Sequence, residues 1–176
     1  MNLETEKGTP MSQTAQYWIG HLQLNPHPEG GYYREVYLSE NRFKKREDDA
    51  FPSGRRFYSS IYYLLEKGQF SAFHRLKSNE IWHHYAGRSA EITILTGSGL
   101  KTMLLGKNLL KSEQFEQLVP ANTWFTVAPS SGTNFVLCGC TMVPGFEFED
   151  FELGTKKILL QQFPEFATLI KLRCIR

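Results

Sequence analysis

A chain of 176 residues, 41% apolar and 22% charged, has the length and composition of one folded domain, which at this size buries roughly 70% of the surface its unfolded chain exposes. Wholesale disorder and fibrous repeats are excluded. Twenty Lys and Arg against eighteen Asp and Glu leave a formal charge of +2, too small a balance for binding nucleic acid or an anionic membrane.

Residues 1–11 read as a disordered leader, MNLETEKGTPM, without the apolar core of a signal peptide; 12–176 read as a single domain. No apolar run approaches the ~20 residues that span a bilayer, so a soluble, cytoplasmic protein is expected. Tyr17, Trp18, His21, Leu22 and Leu24 recur at helical spacing between Ser12 and Leu24, with Ser12 or Thr14 as the cap. Asn25-Pro26 ends that helix, because the residue before proline is pushed out of the α region. A turn at His27–Gly31 leads into a strand over Tyr32–Leu38. The charged stretch Ser39–Arg56, with Pro52, Ser53 and Gly54, reads as an exposed loop.

Beyond Arg56 the pattern is short strands punctuated by glycine: Phe57–Leu65, Ser71–Leu76, Glu80–Tyr85, Glu91–Thr96, Leu100–Leu105, Glu113–Val119, Trp124–Val127 and Phe135–Met142. Many short strands without intervening helices predict an all-β sandwich or barrel. An aromatic content of 14% fits strands and pocket walls. A helix over Phe163–Arg173, with Pro164 at its first position, closes the chain. Cys138 and Cys140 share one strand face at a separation too long for a bridge, so these and Cys174 are expected as reduced thiols.

The chemistry concentrates in GQFSAFHRLKSNEIWHHYAG, Gly68–Gly87. Strand–turn–strand geometry puts His74 and Glu80 on adjacent strands, and alternation places Glu80, Trp82 and His84 on one face. Imidazole titrates near neutral pH, which suits His74 for proton transfer; a carboxylate at Glu80 would orient the ring. Tyr33, Tyr62 and Tyr63 are acid candidates, with Tyr63 taken as the partner. In Gly30–Glu35, two glycines admit close backbone approach and Arg34 can grip an anionic group, with Tyr33 and Glu35 beside it. Trp82, Trp124 and Phe125 either floor a pocket or fill the barrel. Phe146, Phe148 and Phe151 read as core packing or dimer contact. A metal on His74, Glu80 and His84 is not expected, since His84 lies about 13 Å along the strand from Glu80.

The Gly68–Gly87 spacing resembles the first motif of the cupin superfamily, Gly, five residues, His-x-His, three or four residues, Glu, six residues, Gly, with Leu76 in place of the second His. The second motif would fall at Pro120–Phe125, where Phe125 stands in the position of the metal-binding His. HPEGGYYREVY, IYYLL, VPANTWF and GCTMVPGFEFEDFELG extend the likeness to the cupin-5 family, sometimes labelled predicted sugar epimerases. The resemblance implies a double-stranded β-helix, the cupin jelly-roll barrel, flanked by a short N-terminal and a C-terminal helix, usually as a homodimer. With two metal ligands replaced, the function expected is a metal-independent sugar epimerase or isomerase with no cofactor. It would act on a small molecule such as a sugar or nucleotide-sugar, with catalytic His74, Glu80 and Tyr63 and substrate contacts from Tyr33, Arg34, Glu35, Trp82, His84, Trp124 and Phe125. Non-catalytic small-molecule binding and a metal-dependent oxygenase with rearranged ligands are the alternatives.

Overall fold

The computed structural model describes residues 13–43, 51 and 54–175. The leader over 1–11, the alternative cap Ser12 and most of the charged stretch 44–53 lie outside the described residues.

Thr14 caps helix α1 (Ala15–His21), its side chain accepting the Tyr17 amide at 3.2 Å. Thirteen strands follow among the described residues: β1 (Asn25–Pro26), β2 (Tyr32–Leu38), β3 (Arg42–Phe43), β4 (Arg55–Arg56), β5 (Ser59–Glu66), β6 (Ser71–Leu76), β7 (Asn79–Gly87), β8 (Ala90–Thr96), β9 (Gly99–Leu105), β10 (Glu116–Val119), β11 (Phe125–Pro129), β12 (Phe135–Val143) and β13 (Phe151–Leu153). Helices α2 (Lys156–Gln162) and α3 (Ala167–Arg173) end the chain.

The strands build a six-stranded sheet, ordered β1-β2-β5-β12-β7-β10, and a five-stranded sheet, ordered β13-β6-β11-β8-β9. Every ladder in both is antiparallel. Their inner faces meet in one core that mixes Tyr63, Trp82, Cys138 and Met142 from the first sheet with Ile92, Leu105, Phe125 and Val127 from the second. This is a jelly-roll barrel of two packed sheets. α1 covers the outer face of the larger sheet through Ala15 against Leu64 and Leu137. The two C-terminal helices cover the smaller one through Leu159 and Ile170 against Phe73, Leu95 and Trp124. None of the described helices is long and apolar enough to cross a membrane. The three cysteines are free and buried.

Three details depart from the sequence expectation. β6 and β7 are not neighbours in one sheet: the short connection at Lys77-Ser78 carries the chain from the smaller sheet to the larger. The stretch Ser39–Arg56 is not simply an exposed loop, because Ser39 and Arg55 are buried and a β3–β4 pair forms within it. Arg55 is drawn inward by Asp150, a partner 95 residues away. The C-terminal helix is two helices. α2 was missed although Thr155 caps it, accepting the Ile158 amide at 3.2 Å, and Pro164 opens a single 3-10 turn that separates it from α3.

Candidate functional site

One end of the barrel encloses a cavity of about 260 Å³. Its depth is polar: His74, Glu80 and Glu29 are each buried, at 2%, 7% and 5% exposure, and line it together with His27 and Cys140. Apolar walls come from Ile61, Leu76, Met142, Phe146 and Phe151. Glu35, Arg56, Glu147 and Phe148 surround the opening, where Phe148 is 74% exposed.

Strand alternation turns His74 inward from β6 and Glu80 inward from β7, so the two groups reach the cavity from opposite sheets. His74 Nδ1 lies 2.8 Å from the Ala72 carbonyl, which can only accept, so the ring carries its proton there. Nε2 makes no hydrogen bond among the described residues and presents its lone pair to the cavity. Burial pushes the His74 pKa below the usual imidazole value, opposed by the nearby Glu80 charge, and the neutral ring is the ground state.

The carboxylate expected to orient His74 was Glu80, but the group within reach of Nδ1 is Glu29 Oε2, at 3.2 Å. Glu29 is fixed by Ser71 Oγ, which donates to Oε1 at 2.8 Å, and burial raises its pKa. It sits in a turn that only glycine can close. Gly30 and Gly31 adopt φ of 112° and 72°, and a Cβ on either would lie 2.2 Å from the Phe70 carbonyl oxygen or 2.6 Å from that of Leu64. Tyr63 Oη donates to the Gly30 carbonyl. This tyrosine therefore braces the Glu29 turn and does not line the cavity. Burial, aided by the Glu29 charge, raises its pKa well above the usual phenol value, which suits a brace better than an acid.

Glu80 Oε2 accepts the Trp82 indole N–H at 2.8 Å. Burial first, and the charge of Glu29 second among the raising effects, lift its pKa to about 7. Since the unfolded value is 4.5, the unfolded chain ionises first as pH rises. The stability associated with neutral Glu80 is full below about pH 4.5 and is lost as pH rises through about 7, a fall of about 3 kcal/mol. His74 has the opposite sign: its lowered pKa costs stability as pH falls below 6.5. Urea denaturation of wild type and Glu80→Gln across this range isolates the Glu80 limb. The Gln variant should gain relative stability by that amount from acid to mildly alkaline pH.

The remaining expected residues divide cleanly. Tyr33 and Glu35 line the cavity; Arg34, on the alternate face of β2, lies 5.5 Å from the Tyr62 ring and does not. Trp82 and Phe125 support the site from the core: the Phe125 ring is 4.1 Å from that of His74. Trp124 faces the C-terminal helices instead, with the Arg75 guanidinium 4.6 Å over its ring. His84 lies where a bulge interrupts the β7–β12 pairing, and its Nε2 donates to the Arg88 carbonyl at 2.8 Å, outside the cavity lining. Phe146 and Phe151 pack against the core, as read, and also wall the cavity, while Phe148 stands exposed in its lining. His27, Glu29, Arg56 and Cys140 were missed. The available signal was His27-Pro28-Glu29 abutting Gly30-Gly31, polar groups beside a backbone built for close approach.

With this geometry in hand, the family is decided by sequence: the model of the cupin superfamily (DUF985) matches residues 16–154. The chain belongs to this cupin family. A hypothetical protein from Leishmania major is 30% identical to this cupin, covering 93% of this chain and 99% of its own at a TM-score of 0.84. Protein SO0799 from Shewanella oneidensis is 37% identical over 92% of this chain and 98% of its own, with a TM-score of 0.80. Oxalate decarboxylase OxdC from Bacillus subtilis shares the fold at 17% identity and a TM-score of 0.53, this cupin spanning 34% of its length. No curated protein matches.

One of the oxalate decarboxylase structures is described by its Mn(II) centres. The donor set here does not fit that role. Leu76 replaces the second His of the motif, and Phe125 stands directly opposite His74 in the β6–β11 register, hydrocarbon where a third imidazole would be needed. Among the described residues no group of three or more His, Cys, Asp or Glu side chains is arranged around a common metal position.

Proposed function

We propose that this cupin binds a single-ring molecule of monosaccharide size and moves a proton on it, as an epimerase or isomerase does, without a metal. The observation that carries the reading is the pair His74 and Glu80, which enter one cavity from opposite sheets, one with a free lone pair and one holding a proton near neutral pH. A volume of about 260 Å³ lies below the 300–1,000 Å³ of drug-sized pockets, which favours a bare sugar over a nucleotide-sugar.

In this mechanism His74 Nε2 removes the proton from the carbon next to a carbonyl, and the C–H electron pair moves into the carbonyl to give an enolate. His27 accepts the Glu29 amide at Nδ1, 3.3 Å away, so its own proton is on Nε2, ready to donate to the enolate oxygen. Glu80 then returns a proton to the opposite face of the same carbon, leaving an imidazolium and a carboxylate that reset by proton exchange. Glu29 beside Nδ1 stabilises the imidazolium as it forms.

The test is proton exchange. Reducing and keto sugars incubated with the protein in deuterated water, followed by NMR at the carbon next to the carbonyl, should show enzyme-dependent deuterium uptake on at least one member. Binding to the cavity without any uptake would assign it to recognition alone and reject the catalytic reading.

A further inference from the structure

The charge of the cavity bears on what it accepts. Four carboxyl side chains line it, Glu29, Glu35, Glu147 and Glu80, the last holding a proton near neutral pH, against a single Lys or Arg among the described residues, Arg56. Arg56 already donates Nη1 to the Ser39 carbonyl at 2.8 Å. Arg34, the expected anchor for an anion, lies outside the lining. Glu147 is matched by Arg42 at 3.0 Å and Glu29 by Ser71, but Glu35 has neither an ion pair nor a hydrogen bond among the described residues. Its aim into the cavity is built into the strand. Tyr33 and Glu35 face inward by alternation, and a bulge between Glu35 and Tyr37 in the β2–β5 register breaks that alternation, so that Leu38 continues the wall. Deeper in, the unpartnered and buried Nε2 of His74 offers a further acceptor. Phe146, Phe148 and Phe151 supply aromatic faces, which attract cations through the ring quadrupole. Acceptors, unmatched negative charge and aromatic walls complement a ligand rich in donors and carrying positive charge; a phosphate or carboxylate would meet like charge.

We propose that the molecule bound in this cavity carries a protonated amine, as an amino sugar does, and that Glu35 is the carboxylate that holds it. This rests on the reading of the cavity as the site of a sugar-sized ligand and names its chemical class.

Glucosamine, glucose and glucuronate share one ring and differ in charge, so they serve as probes. Calorimetric titration at neutral pH and low salt should show glucosamine binding about tenfold or more tighter than glucose, with glucuronate the weakest. The advantage should shrink as sodium chloride is added. Glu35→Gln should bring glucosamine binding down to the level of glucose in the same variant; Glu35 is exposed, so the variant folds. The proposal is overturned if glucuronate binds as tightly as glucosamine, if the amine preference survives in Glu35→Gln, or if none of the three binds. Exchange measured in parallel separates the two readings. An amine preference without deuterium uptake rejects only the proton transfer, whereas uptake on the neutral sugar without an amine preference rejects only the ligand class.

Discussion

Asp150→Ala lowers the stability of this cupin by about 3–5 kcal/mol, the cost of breaking a buried ion pair by removing its carboxylate. The cation is the Arg55 guanidinium, whose side chain is 1% exposed. Its Nε and Nη2 both donate to the Asp150 carboxylate, the latter at 2.7 Å, while Nη2 also reaches Glu149 at 2.6 Å. The Phe51 ring lies 5.2 Å from the guanidinium carbon, an apolar neighbour that cannot replace a carboxylate oxygen. For a domain of this length the loss corresponds to a melting temperature lower by roughly 6–20 °C. Arg55→Met combined with Asp150→Leu should recover much of it, because removing both charges removes the desolvation cost as well. A single variant melting within about 1 °C of wild type would mean that the guanidinium is satisfied without Asp150. The pair also matters to the cavity. It fastens the segment that contributes Phe146, Phe148 and Phe151, so ligand binding should weaken alongside stability in Asp150→Ala.

His74→Gln removes the proposed base and should reduce deuterium uptake by about 10²–10⁴-fold, the usual contribution of one general acid–base group. Stability should change by less than about 1 kcal/mol. The reason is that His74 is held neutral, and a Gln amide N–H can still donate toward the Ala72 carbonyl that Nδ1 occupies now. Measuring uptake and urea stability on the same preparation separates a lost base from a damaged barrel. Unchanged uptake in a folded His74→Gln protein would remove His74 from the mechanism.

Local pattern in the sequence determined much of this protein. Glycine-punctuated alternation marked the principal strands, the cap of α1 was narrowed to Ser12 or Thr14, of which the structure uses Thr14, and the Gly68–Gly87 spacing singled out His74 and Glu80, both of which line the cavity. Tyr33, Arg34 and Glu35 were grouped as substrate contacts, and the structure leaves Arg34 outside the cavity lining. What the sequence lacked was any statement of which distant elements meet. The β6–β7 connection is two residues long whether it closes a hairpin or crosses between sheets, and only packing of the two inner faces made it a crossing. That choice put His74 and Glu80 on opposite sides of the cavity instead of side by side. Tertiary structure likewise decided that Glu29, 45 residues before His74, is its carboxylate neighbour, that Asp150 draws Arg55 inside, and that Trp124 turns toward the C-terminal helices. Periodicity reports the direction of a side chain from its own strand; its partners depend on long-range burial, which no local spacing records.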